Sequence, residues 1–236
     1  MSHPVVVVHR GWHEEFPENS LPAFKAAWKS GIAWCECDVH FSLDGQAVVL
    51  HDETLERTTT GHGPVHLQSL RELRSFKLCE MNGTATSYAI PTMTELLAVM
   101  RPVDRLLVEI KAMGEPHDAI RLLEMLPAGK CMIQSFDREL LEAISDVRVE
   151  IPRAWLIGEE GDLWAALASP FPAIHLNFQR IDATAVHTLR QQGKQIGAWT
   201  VNEEGNVLRM LELGVDMIIS DRPQHVLEII EKHFTP

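Results

Sequence analysis

CECDVH, residues 35–40, puts Glu36 and Asp38 on one face of a strand and Cys35 and Cys37 on the other, because side chains alternate along extended backbone. Three further stretches also run an apolar strand into polar chemistry: VVVVHRG at 5–11, VVLHD at 48–52 and LLVEIK at 106–111. His9 and His51, with the carboxylates of Glu36, Asp38 and Glu109, therefore stand at strand ends. In a parallel α/β protein those ends share one face, so residues distant in sequence can converge there.

The rest of the chain supplies the strands and helices for such a face. Strand-like and helix-like segments alternate at 5–9 and 20–30, 34–39 and 94–100, 106–111 and 117–126, and 131–135 and 138–146. They continue at 154–157 and 161–168, 173–177 and 183–192, 195–200 and 204–213, and 216–219 and 223–233. Short apolar strands alternating with amphipathic helices predict a parallel sheet, and eight units in 236 residues predict a closed (β/α)₈ or TIM barrel. One connection breaks the rhythm. Residues 40–93 hold a further strand-like run, Ala47 to Leu50, and turn-rich segments such as TTTGHGP, which reads as an insertion after strand 2 capping the barrel mouth. No linker or fixed-period repeat divides the chain, so residues 1–236 read as one domain.

Composition narrows the class. With 45% hydrophobic residues the chain can bury a sizeable core, and no apolar run approaches the roughly 20 residues of a membrane span. The N-terminus MSHP has no charged leader followed by an apolar core. A net charge of −12 without a dense Lys/Arg run argues against nucleic acid as a partner. The four cysteines lack C-x-x-C spacing, so reduced thiols in a cytoplasmic protein are expected rather than disulfides or zinc. Monomer and homodimer both remain open.

Acids aimed into a barrel are costly unless paired or bound to a cation. Glu36, Asp38 and Glu109, with Lys111 beside them, thus fit one hard divalent cation, Mg²⁺ or Ca²⁺, and fit equally a buried salt-bridge network with Arg10 or Lys111. His9 and His51, as a facing pair, can supply one base and one acid. His3, His117, His187, His225 and His233 read as helix or terminal residues, and His13, His40, His62 and His66 as solvated loop residues near the mouth, with His40 or His62 within reach of a substrate. Trp12, Trp28 and Trp34 read as packing residues.

The motifs also carry a resemblance. HRG at 9–11, PENS at 17–20, AF at 23–24, ECDV at 36–39, LDG at 43–45 and HDETLERTT at 51–59 resemble the signature of the glycerophosphodiester phosphodiesterase family. EIK at 109–111, SF at 135–136, WTVN at 199–202 and SDRP at 220–223 extend it over nearly the whole chain, closest to the small cytosolic bacterial type. The resemblance implies a (β/α)₈ barrel with His9 and His51 as the acid–base pair and Glu36, Asp38 and Glu109 as divalent-metal ligands. It further implies that Arg10 and Lys111 contact phosphate, that Trp199 walls the glycerol pocket, and that Glu18 and Asn19 brace the first strand end. Ser20 and Ser42 stand where the family has threonine, which keeps a hydroxyl.

The implied reaction is hydrolysis of small glycerophosphodiesters, such as glycerophosphocholine or glycerophosphoethanolamine, to sn-glycerol 3-phosphate and an alcohol. A lysophospholipase D would need an apolar groove or a membrane-binding surface, which the mostly polar 53–90 segment does not suggest. A non-catalytic binding barrel would be expected to have lost a histidine or a carboxylate. With one tyrosine in the chain, no aromatic cage for choline is expected.

Overall fold

The computed structural model describes residues 3–111, 116–159 and 163–234. Strand β1 (Val5–Val8) leads to helix α1 (Leu21–Lys29) and strand β2 (Trp34–Phe41). The connection that follows carries β3 (Ala47–Val49), α2 (Leu70–Leu73), β4 (Lys77–Cys79) and β5 (Ala85–Ala89) before α3 (Met93–Val99). Then come β6 (Arg105–Ile110), α4 (Pro116–Met125), β7 (Cys131–Ser135), α5 (Arg138–Ala143), β8 (Arg153–Ile157) and α6 (Leu163–Ala168). The chain ends with β9 (Ala173–Asn177), α7 (Ala183–Gln191), β10 (Gln195–Trp199), α8 (Glu204–Leu213), β11 (Met217–Ser220) and α9 (Pro223–Phe234). The sheet runs β1-β11-β10-β9-β8-β7-β6-β2, all parallel, and β1 also pairs with β2, which closes the barrel. Strand β3 is an antiparallel addition to β2.

Alternation along each strand separates two cores. Val7, Leu107, Met132, Ala154, Ala173 and Ile219 form a buried cluster inside the barrel. The opposite faces, Cys35, Cys37, Val39, Val108 and Ile110 among them, pack on Phe24, Trp28, Leu96 and Leu122 of the helices. The expected elements are present with shifted ends: β2 runs on to Phe41, and α5 stops at Ala143 rather than 146. The first two residues of the helix expected at 161–168 lie outside the described residues.

The 40–93 connection is more than a polar cap. Val48, Leu50, Leu55, Val65, Leu73, Leu78 and Ile90 make an apolar cluster of their own. Those side chains are spaced across turns and short elements, so no periodic apolar face marks them in the sequence. Ser69 and Thr92 each form a capping box, with Glu72 and Glu95, which fixes where α2 and α3 begin.

A buried histidine shapes the barrel interior. His175 on β9 lies directly across from Gly197 on β10, and a Cβ at 197 would stand 2.4 Å from the His175 ring. Gly197→Ala should therefore destabilise the fold by about 1–3 kcal/mol, read from urea midpoints, because a packed ring has nowhere to move. His175 Nδ1 is 2.8 Å from Gln134 Oε1, and burial pushes its pKa down to about 4. The unfolded chain then binds the extra proton between about pH 6.5 and 4, so stability falls as pH drops through that window. The loss should total about 3 kcal/mol, and a His175→Gln chain should show a correspondingly shallower pH dependence of its urea midpoint.

Candidate active site

Parallel pairing of β2 with β6 sets Asp38 opposite Glu109, and β6 with β7 sets Glu109 opposite Gln134. Glu36, Asp38 and Glu109 are all buried, and one ligand oxygen from each lies within 4.8 Å of the others. Burial, then the charges of Asp38 and Glu109, pushes the Glu36 carboxyl well above its usual range. Glu109 is pushed up to about 7, by burial first and then by Asp38. Burial would raise Asp38 too, but the cations of Lys111 and Arg10 outweigh it and hold its pKa low.

Both cations are committed to these acids. Lys111 Nζ lies 2.7 Å from Asp38 Oδ1 and 2.5 Å from Glu109 Oε1, and Arg10 Nε lies 3.2 Å from Asp38 Oδ2. Asn19 closes the set by donating to Asp38 Oδ2 at 2.8 Å. The ion network weighed against a metal is thus present, yet it leaves a gap. Glu36 Oε2 accepts from the Arg10 amide at 3.1 Å, whereas its buried Oε1 has no hydrogen-bond partner among the described residues. Three carboxylates against two cations, an orphaned buried oxygen and an all-oxygen donor set fit a hard divalent ion.

The turn after β1 explains the HRG triplet. Arg10 takes a left-handed φ of 55° and Gly11 one of 76°. A Cβ on Gly11 would come within 2.9 Å of the Ala23 backbone, so only glycine lets α1 approach this closely. Arg10 is held in its unfavourable conformation by donation of its backbone N–H to Glu36 Oε2 and by donation from Asn19 N to its carbonyl at 2.9 Å. Ser20 then caps α1, accepting from Ala23 N.

Each strand-end histidine has its own carboxylate. His9 Nδ1 is 2.6 Å from Asp221 Oδ1, and His51 Nδ1 is 2.6 Å from Asp52 Oδ1. An acceptor on Nδ1 puts the proton there and leaves Nε2 as the free nitrogen. His9 Nε2 lies 3.9 Å from Glu36 Oε2. Asp221 is fixed from behind by Asn202 Nδ2 at 2.8 Å, and Asn202 Oδ1 accepts from Asp221 N and Ser220 Oγ. Arg57 forks onto Asp52 through Nε at 2.6 Å and Nη2 at 2.8 Å. Its Nη1 and Nη2 also reach Glu18 at 2.8 Å, and Glu18 accepts from Arg10. One ion chain therefore ties His51 to Arg10.

Three histidines depart from the sequence expectation, His66 being a half-buried residue of the short helical turn Val65–Leu67. His40 is a buried β2 residue, 4% exposed, with Nε2 3.0 Å from the His51 carbonyl, because β2 continues past residue 39. His13 is half-buried, with Nε2 3.0 Å from Asp221 Oδ1, because the loop after β1 folds back over the end of β11. His62 is exposed, as expected.

His9, Arg10, Glu36, His51, Glu109, Lys111 and Trp199 line one cavity of about 150 Å³, and Asp38 sits against its two cations. Phe136, Leu156 and Trp199 give it an apolar wall, with the Phe136 and Trp199 rings edge to face at 5.5 Å. A neighbouring recess of about 430 Å³ shares His51, Glu109, Lys111 and Phe136 and adds His40, Asp52 and Glu53. Sequence reasoning gave no role to Asp52, Arg57, Phe136, Asn202 or Asp221. The adjacency of His51 and Asp52, and an acid just after the last strand, were the available signals.

Sequence and structure comparisons place the chain among known proteins. Residues 9–225 match the Glycerophosphoryl diester phosphodiesterase family. A glycerophosphodiester phosphodiesterase of Caldanaerobacter subterraneus subsp. tengcongensis is 28% identical, the alignment covering 97% of this chain and 98% of the relative. An Oleispira antarctica phosphodiesterase, solved in complex with the product sn-glycerol-3-phosphate, superposes with a TM-score of 0.88 at 28% identity, covering 97% of both chains. The glycerophosphodiester phosphodiesterase of Thermotoga maritima superposes with a TM-score of 0.78 at 26% identity, over 97% of this chain and 99% of that one. With a family match across most of its length and the same closed barrel, the chain belongs to the glycerophosphoryl diester phosphodiesterase family of hydrolases.

Proposed function

We propose that this chain hydrolyses small glycerophosphodiesters to sn-glycerol 3-phosphate and a free alcohol, with His9 and His51 as the acid–base pair. The observation that carries the reading is the pairing of two histidines, each held by a carboxylate on Nδ1, across a cavity lined by Glu36, Glu109 and two cations, with Asp38 held behind those cations. Glu36, Asp38 and Glu109 would hold one Mg²⁺ or Ca²⁺, and such an ion, when bound, neutralises nonbridging phosphate oxygens. Arg10 and Lys111 add positive charge at the same place and orient the diester. Trp199, Phe136 and Leu156 take the carbon face of the glycerol, and the wider recess beside His51 takes the departing alcohol.

A phosphodiester needs its nucleophile deprotonated and its alkoxide protonated. One histidine Nε2 takes the proton and the other supplies one, and their roles exchange if the glycerol 2-hydroxyl attacks first and water then opens a cyclic phosphate. Intramolecular attack has the advantage of a tethered nucleophile. The chain acts as one catalytic domain, residues 40–93 contributing His51 and Asp52 to the mouth. Four unpaired cysteines suit a reducing cytoplasm, and no helix among the described residues is long and apolar enough to cross a membrane.

Purified protein should release glycerol 3-phosphate from glycerophosphocholine or glycerophosphoethanolamine, stop in EDTA and recover with Mg²⁺ or Ca²⁺. His51→Ala should be inactive under all three conditions. Release that persists in EDTA would overturn the metal assignment. Failure with every headgroup, followed by turnover of a lysolipid, would move the substrate to lipids with an acyl chain.

A further inference from the structure

We propose that His9, His13 and Asp221 form a second metal site, selective for Zn²⁺-type ions and inhibitory when filled. His9 Nδ1 and His13 Nε2 lie 2.6 and 3.0 Å from the same oxygen, Asp221 Oδ1, and the three ligand atoms are all within 4.8 Å of one another. The backbone fixes this convergence: β1 pairs with β11, and the turn through Gly11 is locked by His13 N donating to Gly11 O and Trp12 N donating to Ala23 O. Two imidazoles and one carboxylate are a borderline-soft donor set, unlike the all-oxygen set of Glu36, Asp38 and Glu109.

Three protein ligands leave a fourth position for water, and the side chains are 15–31% exposed, so an ion can enter. Tetrahedral zinc with ~2.0 Å bonds separates its ligands by about 3.3 Å, so the His13 contact needs to open by about 0.3 Å and the His9 contact by about 0.7 Å. Asn202 Nδ2, on the other Asp221 oxygen, supplies the orienting outer contact that such sites use.

The proton count gives the consequence. His9 carries its hydrogen on Nδ1 and His13 on Nε2, both aimed at Asp221. A metal on those nitrogens requires the other tautomer of each ring, so no proton is released overall and His9 becomes protonated on Nε2. That nitrogen is the one the proposed reaction uses, so the filled site withdraws His9 from catalysis. The inhibitory half rests on the proposed function, whereas binding does not.

Co²⁺ absorption and Zn²⁺ titration calorimetry, both in excess Mg²⁺, test binding without substrate. Wild-type protein and Glu36→Gln should show the intense visible bands of four-coordinate Co²⁺, and His13→Gln should lose them. Glutamine can still donate to Asp221 but is a poor zinc ligand, so its hydrolysis of glycerophosphodiesters should persist. Its Zn²⁺ affinity and its Zn²⁺ half-inhibition concentration should each worsen by at least ~10-fold. An unchanged Co²⁺ spectrum in His13→Gln, or its loss in Glu36→Gln, would overturn the site, the second outcome assigning the ion to the acids. If His13→Gln melts below assay temperature, His13→Asn is read by the same criteria. Tight binding by a chain without hydrolase activity would refute the proposed function and leave the site standing.

Discussion

Asp221→Asn should lower kcat by about 10²- to 10⁴-fold while leaving KM and the melting temperature nearly unchanged. The reason is tautomeric. Asp221 Oδ1 accepts from His9 Nδ1 at 2.6 Å, and Oδ2 accepts from Asn202 Nδ2 at 2.8 Å. Asn202 cannot turn around, because its Oδ1 already accepts from Asp221 N and Ser220 Oγ. An asparagine at 221 must therefore point its carbonyl at Asn202 and its NH₂ at His9. An N–H donor facing Nδ1 favours a lone pair there, so the His9 proton moves to Nε2 and the ring can no longer act as a base. Steady-state kinetics over the neutral range, with near-ultraviolet circular dichroism as the fold control, decide the matter. A fall of less than about 5-fold would mean that His9 works without Asp221 fixing its tautomer, or does no acid–base work at all.

The barrel was legible because its signal is local. The outward Cys35, Cys37 and Val39 and the inward Glu36 and Asp38 alternate within one strand, the same period recurs in β6, and the helical segments between successive strands make the sheet parallel. The strand-end residues were legible for the same reason. His13 was not, because its contact with Asp221 spans 208 positions and depends on barrel closure between β1 and β11. His175 escaped notice in an apolar strand, where only the facing Gly197 reveals that its ring is packed inside. Arg57 looked like one more charge in a polar loop until Glu18 and Asp52 were seen to converge on it. The insertion hid its core because Leu55, Leu73 and Ile90 belong to no common period. Short-range patterns thus gave the scaffold and the inward acids, while pairs formed only on closing the barrel gave the orienting residues.

Glu36→Gln should separate stability from activity. In the absence of an ion, Glu36 is a fully buried acid whose ionised form is opposed by burial, by Asp38 and by Glu109, and its Oε1 has no partner among the described residues. Glutamine keeps an acceptor for the Arg10 amide and turns the other end into a donor facing the neighbouring carboxylates. In chelator, the variant should therefore melt above the wild type. The sign with pH is fixed: a carboxyl whose folded pKa is raised loses its contribution to stability as pH rises, so the gap between variant and wild type should widen from about pH 5 upward. Adding Mg²⁺ or Ca²⁺ should reverse the order. At 100 times its dissociation constant an ion stabilises the wild type by about 2.7 kcal/mol, which at this chain length is roughly 5–10 °C. The variant should show little shift and little turnover. A variant less stable than wild type in chelator, or one that keeps the ion-induced shift, would mean that Glu36 is a structural acid and not a ligand. The expected pattern instead identifies Glu36 as a residue held at a cost to the empty fold, which the bound ion offsets.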